Sequence, residues 1–331
     1  MIFYITLLRT LATCLITNSH YEGIYPSDII ANGGLIGDVI FFAVSGYCLY
    51  HVKGNFFAWY GKRICRCYLP VVVVTGLYMA LGFYTLSENP FLWWYIYPTC
   101  YHFVASIVVL YIPFFVIMRI DFLKKKIPLI MALLGVVYLA VYIFVYDKSY
   151  YHIDQVREPF IRFLFMESML LGAYFRRNDS KFRNGFSSWQ PIAVFALFVL
   201  YFASKLIFAR KESLSEFQIV NQLLIFALLY FILRMFAGMD ATFAKIPKPI
   251  KNVVTFFAGI TLEIYVVQYV LIDLIRSMEI LVFPINWLVL TTAIVLVAWG
   301  LHFVCEMISY SVNFVSEKCR CCITKRGGRI S

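Results

Sequence analysis

Apolar runs of roughly 18 residues or more recur from one end of the chain to the other, each long enough to cross the hydrocarbon core of a bilayer. They fall at 2–20, 33–50, 69–86, 94–118, 127–146, 160–175, 191–209, 217–236, 253–275 and 281–315. The last is long enough to hold a tilted span and a surface turn. No water in that core bonds a free N–H or C=O, so each segment must close its own hydrogen bonds. The expected fold is therefore all-α, a polytopic membrane bundle of about ten transmembrane helices. Composition agrees: charged residues make up 14% of the chain and hydrophobic ones 62%, whereas soluble chains carry about a quarter charged.

The loops orient the bundle. One alternating set contains HVKGNFFAWYGKRICRCYLP, RIDFLKKKIP, RRNDSKFRNGFSSWQP, MDATFAKIPKPIKN and the tail EKCRCCITKRGGRIS. The other contains YEGIYPSD, LSENP, DKSYYHIDQVREP, ARKESLSEF and RSMEI. Lysine and arginine favour the first set by roughly three to one, which places it and both termini in the cytoplasm. That bias also accounts for the net charge of +11 without nucleic acid. The expected domains are a transmembrane unit over 1–316 and a basic cytoplasmic tail over 317–331. The first segment lacks a basic leader and a small-residue cleavage site, so we expect it to be retained. Cys14, Cys48, Cys100 and Cys305 lie in apolar segments as small hydrophobes. Cys65, Cys67, Cys319, Cys321 and Cys322 sit among basic residues on the reducing side. The CRCC cluster lacks a nearby Cys/His pair to complete a metal site, so no metal is expected. No internal repeat supports an inverted-repeat transporter.

Ionisable residues inside spans are costly and usually face protein or a water-filled cavity. Arg9, Asp38, Glu167, Lys205, Glu263 and Asp273 form that set, with His20 and His102 near span ends. Lys205 and Asp273 lie near an interface and can snorkel. A structural ion pair of Arg9 with Glu167 or Glu263 competes with a functional role for each. Arg9 and His20, eleven residues apart, share nearly one helix face at depths separated by about 16 Å. Such a helix offers a buried cation and, across half a membrane, an imidazole able to act as general base. Gly37, Ser45 and Gly46 permit close helix contact. Arg63 and Arg66, at i and i+3, suit a phosphorylated ligand through their guanidinium forks. Ordinary positive-inside charge explains them equally well taken singly.

Together and in this order, these pieces resemble the acyltransferase-3 family of integral membrane acyltransferases. The resemblance is carried by Arg9-x10-His20, by FFAVSGY, and by Arg63-x-x-Arg66 leading into YLP. YHFVASIVVLYIPFF is similar to the family's middle span, and FLFMESMLLGAYF and ITLEIYVVQYVLI resemble its later helices. Two positions depart from the family pattern: Phe103 stands after His102 where tryptophan is frequent, and Gln268 where histidine is frequent. The resemblance implies transfer of an acetyl or short acyl group from acetyl-coenzyme A, or a related acyl-coenzyme A, to a hydroxyl of a glycan or lipid-linked sugar. It implies His20 as the essential histidine and Arg9 as its partner, with Arg63 and Arg66, helped by Lys62, at the coenzyme. Glu167, Glu263, Tyr265 and Ser45 are candidate substrate contacts. The implied setting is the bacterial inner membrane, as a multi-pass protein among lipids, with no esterase-like extra domain; a homo-oligomer is left open. The rival expectation is a glycan or small-anion transporter or flippase without acyl chemistry.

Overall fold

The computed structural model describes residues 2–96, 101–278 and 282–327, with side chains to 311. Every regular element among them is helical. The principal helices are α1 (Phe3–Ser19), α2 (Gly34–Leu49), α3 (Phe56–Ala80), α4 (His102–Arg119), α5 (Ile127–Phe144) and α6 (Ile161–Arg177). They continue with α7 (Trp189–Arg210), α8 (Ile219–Gly238), α9 (Lys248–Gly259), α10 (Thr261–Arg276) and α11 (Ile285–Gly327). Six of these are long and apolar enough to cross a membrane, and α9 with α10, bent by 67°, makes a seventh.

The remaining three, α1, α2 and α6, have 17, 16 and 17 residues. At 1.5 Å per residue each is about 24–26 Å long, short of the roughly 30 Å hydrocarbon core. They are also the most interior elements: α2 packs most extensively on α6 and then on α1. Helices wrapped by other helices need not match the lipid, so short, polar-bearing segments are tolerated there. Phe42 stacks on Phe165 at 4.2 Å in the middle of this core. The close approach depends on glycine. A Cβ on Gly46 would drive into the Met169 carbonyl, one on Gly172 into the Ala43 carbonyl, and one on Gly37 would lie 2.7 Å from the Ala12 carbonyl oxygen. Outside them, α5 and α7 expose Leu133, Val136, Ile192, Phe195 and Val199, as lipid-facing helices do.

Contacts at the helix ends gather the loops into two groups. At one end, Tyr4 and Tyr47 donate to Asp179 at 3.1 and 2.7 Å, Arg177 donates to the Lys125 carbonyl, and Lys251 sits over Phe3. Lys53, Lys124 and Arg176 gather there, so we call it the basic end. At the opposite end, Lys205 reaches Asp154 (2.7 Å) and Asn32, Tyr21 bonds Thr291, and Arg276 donates to the Glu22 carbonyl. Lys205 is thus ion-paired rather than merely snorkelling, and Asp273 pairs with Arg276 at 3.2 Å.

Two boundaries differ from the sequence expectation. Helix α3 starts at Phe56, well before 69, because Asn55 caps it by accepting from Ala58 N at 2.8 Å and Phe56 and Trp59 pack on Phe115 of α4. The segment expected at 253–275 is broken after Gly259. Thr261 Oγ1 caps that break, within 3.2 and 3.1 Å of the Phe257 and Ala258 carbonyls. Cys100 lies outside the described residues, and the tail cysteines lie in α11 beyond its described side chains.

Candidate active site

The face of α1 between Arg9 and His20 lines a cavity. Thr13, Ile16 and Thr17 form one wall, one and two turns beyond Arg9. Phe41 of α2, Phe103 of α4 and Thr261, Leu262, Ile264 and Tyr265 of α10 close it. Its volume is about 10 Å³, room for one water molecule. At its basic-end side the Arg9 guanidinium carbon is 6.0 Å from the Phe41 ring centre. At its other side Tyr265 packs at 5.7 Å on Tyr269, which meets the His20 ring edge-on at 5.0 Å. Arg9, the cavity and His20 thus lie in order along α1, a track filled by packed side chains except for that one-water cavity.

The track is held by α10. Thr13 Oγ1 donates to Thr261 Oγ1 at 3.1 Å, just past the helix break. Tyr101 and Tyr78 donate to the Val266 and Val267 carbonyls at 3.1 and 2.8 Å, fixing the turn that presents Tyr265 and Tyr269. His20 caps the C-terminal end of α1, its N–H directed at the Thr17 and Asn18 carbonyls, so backbone bonds set its place. Among the described residues no carboxylate pairs with its ring.

Below the cavity lies a cluster of cations. Arg63 stacks on Trp59 with its guanidinium carbon 3.9 Å from the ring centre and donates to the Trp59 carbonyl at 2.8 Å. Trp59 is wedged against Tyr111 and Phe115 of α4. The Arg66 charge acts on both Arg63 and Arg9, and all three act on the Cys67 thiol, which is hydrogen-bonded to Tyr111. Among the described residues none of the three arginines is ion-paired. Just outside the membrane, burial and the charges of Lys124, Arg176 and Lys53 push the His51 imidazole below its usual range. Cations that crowd together without carboxylates of their own are poised for an anionic ligand.

Other expected residues lie apart. Lys62 is exposed, one position off the Arg63–Arg66 face. Ser45 is half-buried on α2. Glu167 is 7% exposed and faces α5, its Oε1 lacking a hydrogen-bond partner beside Gly135. Glu263 is bonded to His302 Nδ1 at 2.8 Å. The competing expectation of an Arg9–glutamate ion pair thus fails: one carboxylate is turned to α5 and the other is taken by histidine. Sequence reasoning missed His302, although His302 and Glu306 at i and i+4 in the apolar run WGLHFVCEM were a visible signal. It also passed over Asp38 as a site residue; Asp38 is 5% exposed on α2, and its charge acts on Tyr265.

No curated protein and no solved structure gave a significant match to the chain. A family model described as an acyltransferase domain, that of acyltransferase-3, matches residues 2–303, which takes in α1, the arginine cluster and the broken span alike. A helical membrane bundle with an arginine within and a histidine capping one of its shortest helices, matched over nearly its whole length, this chain belongs to the acyltransferase-3 family of membrane acyltransferases.

Proposed function

We propose that this membrane acyltransferase moves an acetyl or short acyl group from acyl-coenzyme A at the basic, cytoplasmic end to a hydroxyl of a glycan or lipid-linked sugar at the opposite end. A bacterial inner membrane is the setting. The observation that carries the reading is the track along α1, which joins an unpaired arginine cluster to a histidine through the bundle core.

Distance assigns the roles. A group that stabilises the oxyanion must approach within about 3 Å of it, whereas Arg9 lies about 16 Å along the helix from His20. Arg9 therefore belongs with Arg63 and Arg66 at the phosphates of the donor, and the extended pantetheine arm reaches His20 only once Phe41, Phe103 and Tyr265, which leave room for one water, move apart. His20 takes the proton of the acceptor hydroxyl as that oxygen attacks the thioester carbonyl. The tetrahedral intermediate collapses, the C–S bond breaks, and coenzyme A leaves as its thiol after receiving the proton. Tyr265 and Tyr269, hydrogen-bonded to each other beside His20, supply hydroxyl groups at the reacting end. Phe41, Phe103 and Tyr265 keep the track narrow, which excludes bulk water from the thioester.

The test supplies membranes containing the protein with acetyl-labelled acetyl-coenzyme A and follows label into glycan and lipid-linked sugar. Native protein transfers label, and His20→Ala reduces transfer by about 10²–10⁴-fold, the usual worth of a general base. Equal transfer by both removes His20 from the chemistry. Absence of transfer together with absence of coenzyme A binding favours the transporter.

A further inference from the structure

Glu263 stands two residues past the break between α9 and α10 and is 7% exposed. Thr13 Oγ1 to Thr261 Oγ1 at 3.1 Å sets the first turn of α10, which carries Glu263, beside α1 one turn from Arg9, while Thr10 Oγ1 to the Val254 carbonyl at 2.9 Å ties α9 to the turn that carries Arg9. The Glu263 charge acts on Arg9, yet the two are not ion-paired. Opposite charges in a bundle interior attract strongly, and here the carboxylate is engaged elsewhere. The holder is visible. His302 of α11 places Nδ1 2.8 Å from Glu263 Oε1, with Nε2 3.4 Å from Glu306 Oε1 on its far side. Behind His302 an open groove of about 380 Å³, walled by Trp299, Asn252 and Thr255, leaves the imidazole reachable without crossing the α1 track.

We propose that His302 is a positioning residue: by engaging Glu263 it keeps that carboxylate off Arg9, and so preserves an unpaired guanidinium for the anionic acyl donor. The inference rests on the reading of Arg9 as part of the donor site. It assigns His302 no contact with substrate. Glu263 is correspondingly a latent competitor of the donor phosphates rather than a substrate ligand. The break after Gly259 matters here, because it turns α10 so that Glu263 meets α11 as well as α1.

The experiment measures the Kd of acetyl-coenzyme A by titration calorimetry on purified, detergent-solubilised full-length protein. Native protein is compared with His302→Ala, Glu263→Gln, the double variant and His302→Gln. In His302→Ala the freed carboxylate pairs with Arg9, and binding weakens about tenfold, as for a newly formed buried charge pair that must be broken. Glu263→Gln, with the competitor neutralised, binds several-fold more tightly than native protein. The double variant binds like Glu263→Gln, and His302→Gln, whose amide still donates to Glu263, binds like native protein. A loss in His302→Ala that persists in the double variant overturns the proposal, because it makes His302 a packing residue. A loss in Glu263→Gln as large as that in His302→Ala also overturns it. Equal binding by all five forms sinks this inference alone, whereas no binding by native protein sinks the donor-site reading with it.

Discussion

Arg63 and Arg66 differ in what a substitution would remove. Arg63 is stacked on Trp59 and tied to its carbonyl, with its Nε buried and without a partner; Arg66 is exposed and acts on its neighbours by charge. Lysine keeps charge but loses the planar fork and the stacking. Arg63→Lys is therefore expected to raise the KM for acetyl-coenzyme A about tenfold, and Arg66→Lys by no more than about threefold, with kcat nearly unchanged in both. Steady-state rates on membranes with varied donor check this; a fall in kcat at constant KM would move Arg63 from the donor to the reacting centre. At this scale the sequence was informative where the candidate residues share one helix. Arg9 and His20 share a face because 3.6 residues make a turn, and that periodicity is local. Arg63 and Arg66 were legible for the same reason. The Glu263–His302 bond joins residues 39 apart on helices that meet only in three dimensions, and no local period announces it. Glu167 misled for a related reason. A buried carboxylate looks alike in sequence whether it faces the track or, as here, α5.

Glycine sets how the central helices meet. Gly46 and Gly172 bring α2 and α6 so close that a methyl group at either would overlap the facing backbone, which cannot rotate away. Overpacking of a tight core costs about 1–3 kcal/mol, and the rigid carbonyl puts this site at the upper end. Gly46→Ala is expected to lower the midpoint of thermal unfolding in detergent by several degrees. Gly61→Ala, at a position of α3 with open space around it, should leave the midpoint unchanged or raise it slightly, since alanine favours helix by about 0.5–1 kcal/mol. A Gly46→Ala variant as stable as native protein would contradict the α2–α6 approach. The small residues Gly37 and Gly46 could be read from the sequence as contact points. The start of α3 could not, because its cap at Asn55 and its packing on α4 outweigh a polar, arginine-bearing composition. Nor could the kink in the ninth apolar segment. A glycine in an apolar run does not announce a 67° bend; the bend persists because Thr261 satisfies the carbonyls it frees.

The whole molecule sorts its helices by length and polarity. Long apolar helices face outward, and the three short ones, with Arg9, Asp38 and Glu167, occupy the interior. On the proposed function, short interior helices thin the barrier an acyl group would cross. The basic end would then face the compartment that contains acyl-coenzyme A. Six helices, and a seventh if α9 and α10 are one span, are long and apolar enough to cross; whether α1, α2 and α6 cross as well decides on which side each loop lies. The prediction is sidedness of labelling by a membrane-impermeant maleimide, in a background with the native cysteines replaced by serine. Single cysteines at Lys53 and Ser187 should be labelled only when the cytoplasmic side is open to reagent, and those at Ser27, Ser87 and Ser149 only from the opposite side. The ordering tests more than topology, because Lys53 borders the arginine cluster whereas Ser27 lies in the loop that follows His20. If Lys53 and Ser27 react from the same side, the track does not join two compartments, and transfer would have to begin and end on one face of the membrane. If they react from opposite sides, the donor and acceptor ends of α1 are separated by the bilayer, and the single helix bearing Arg9 and His20 is what connects them.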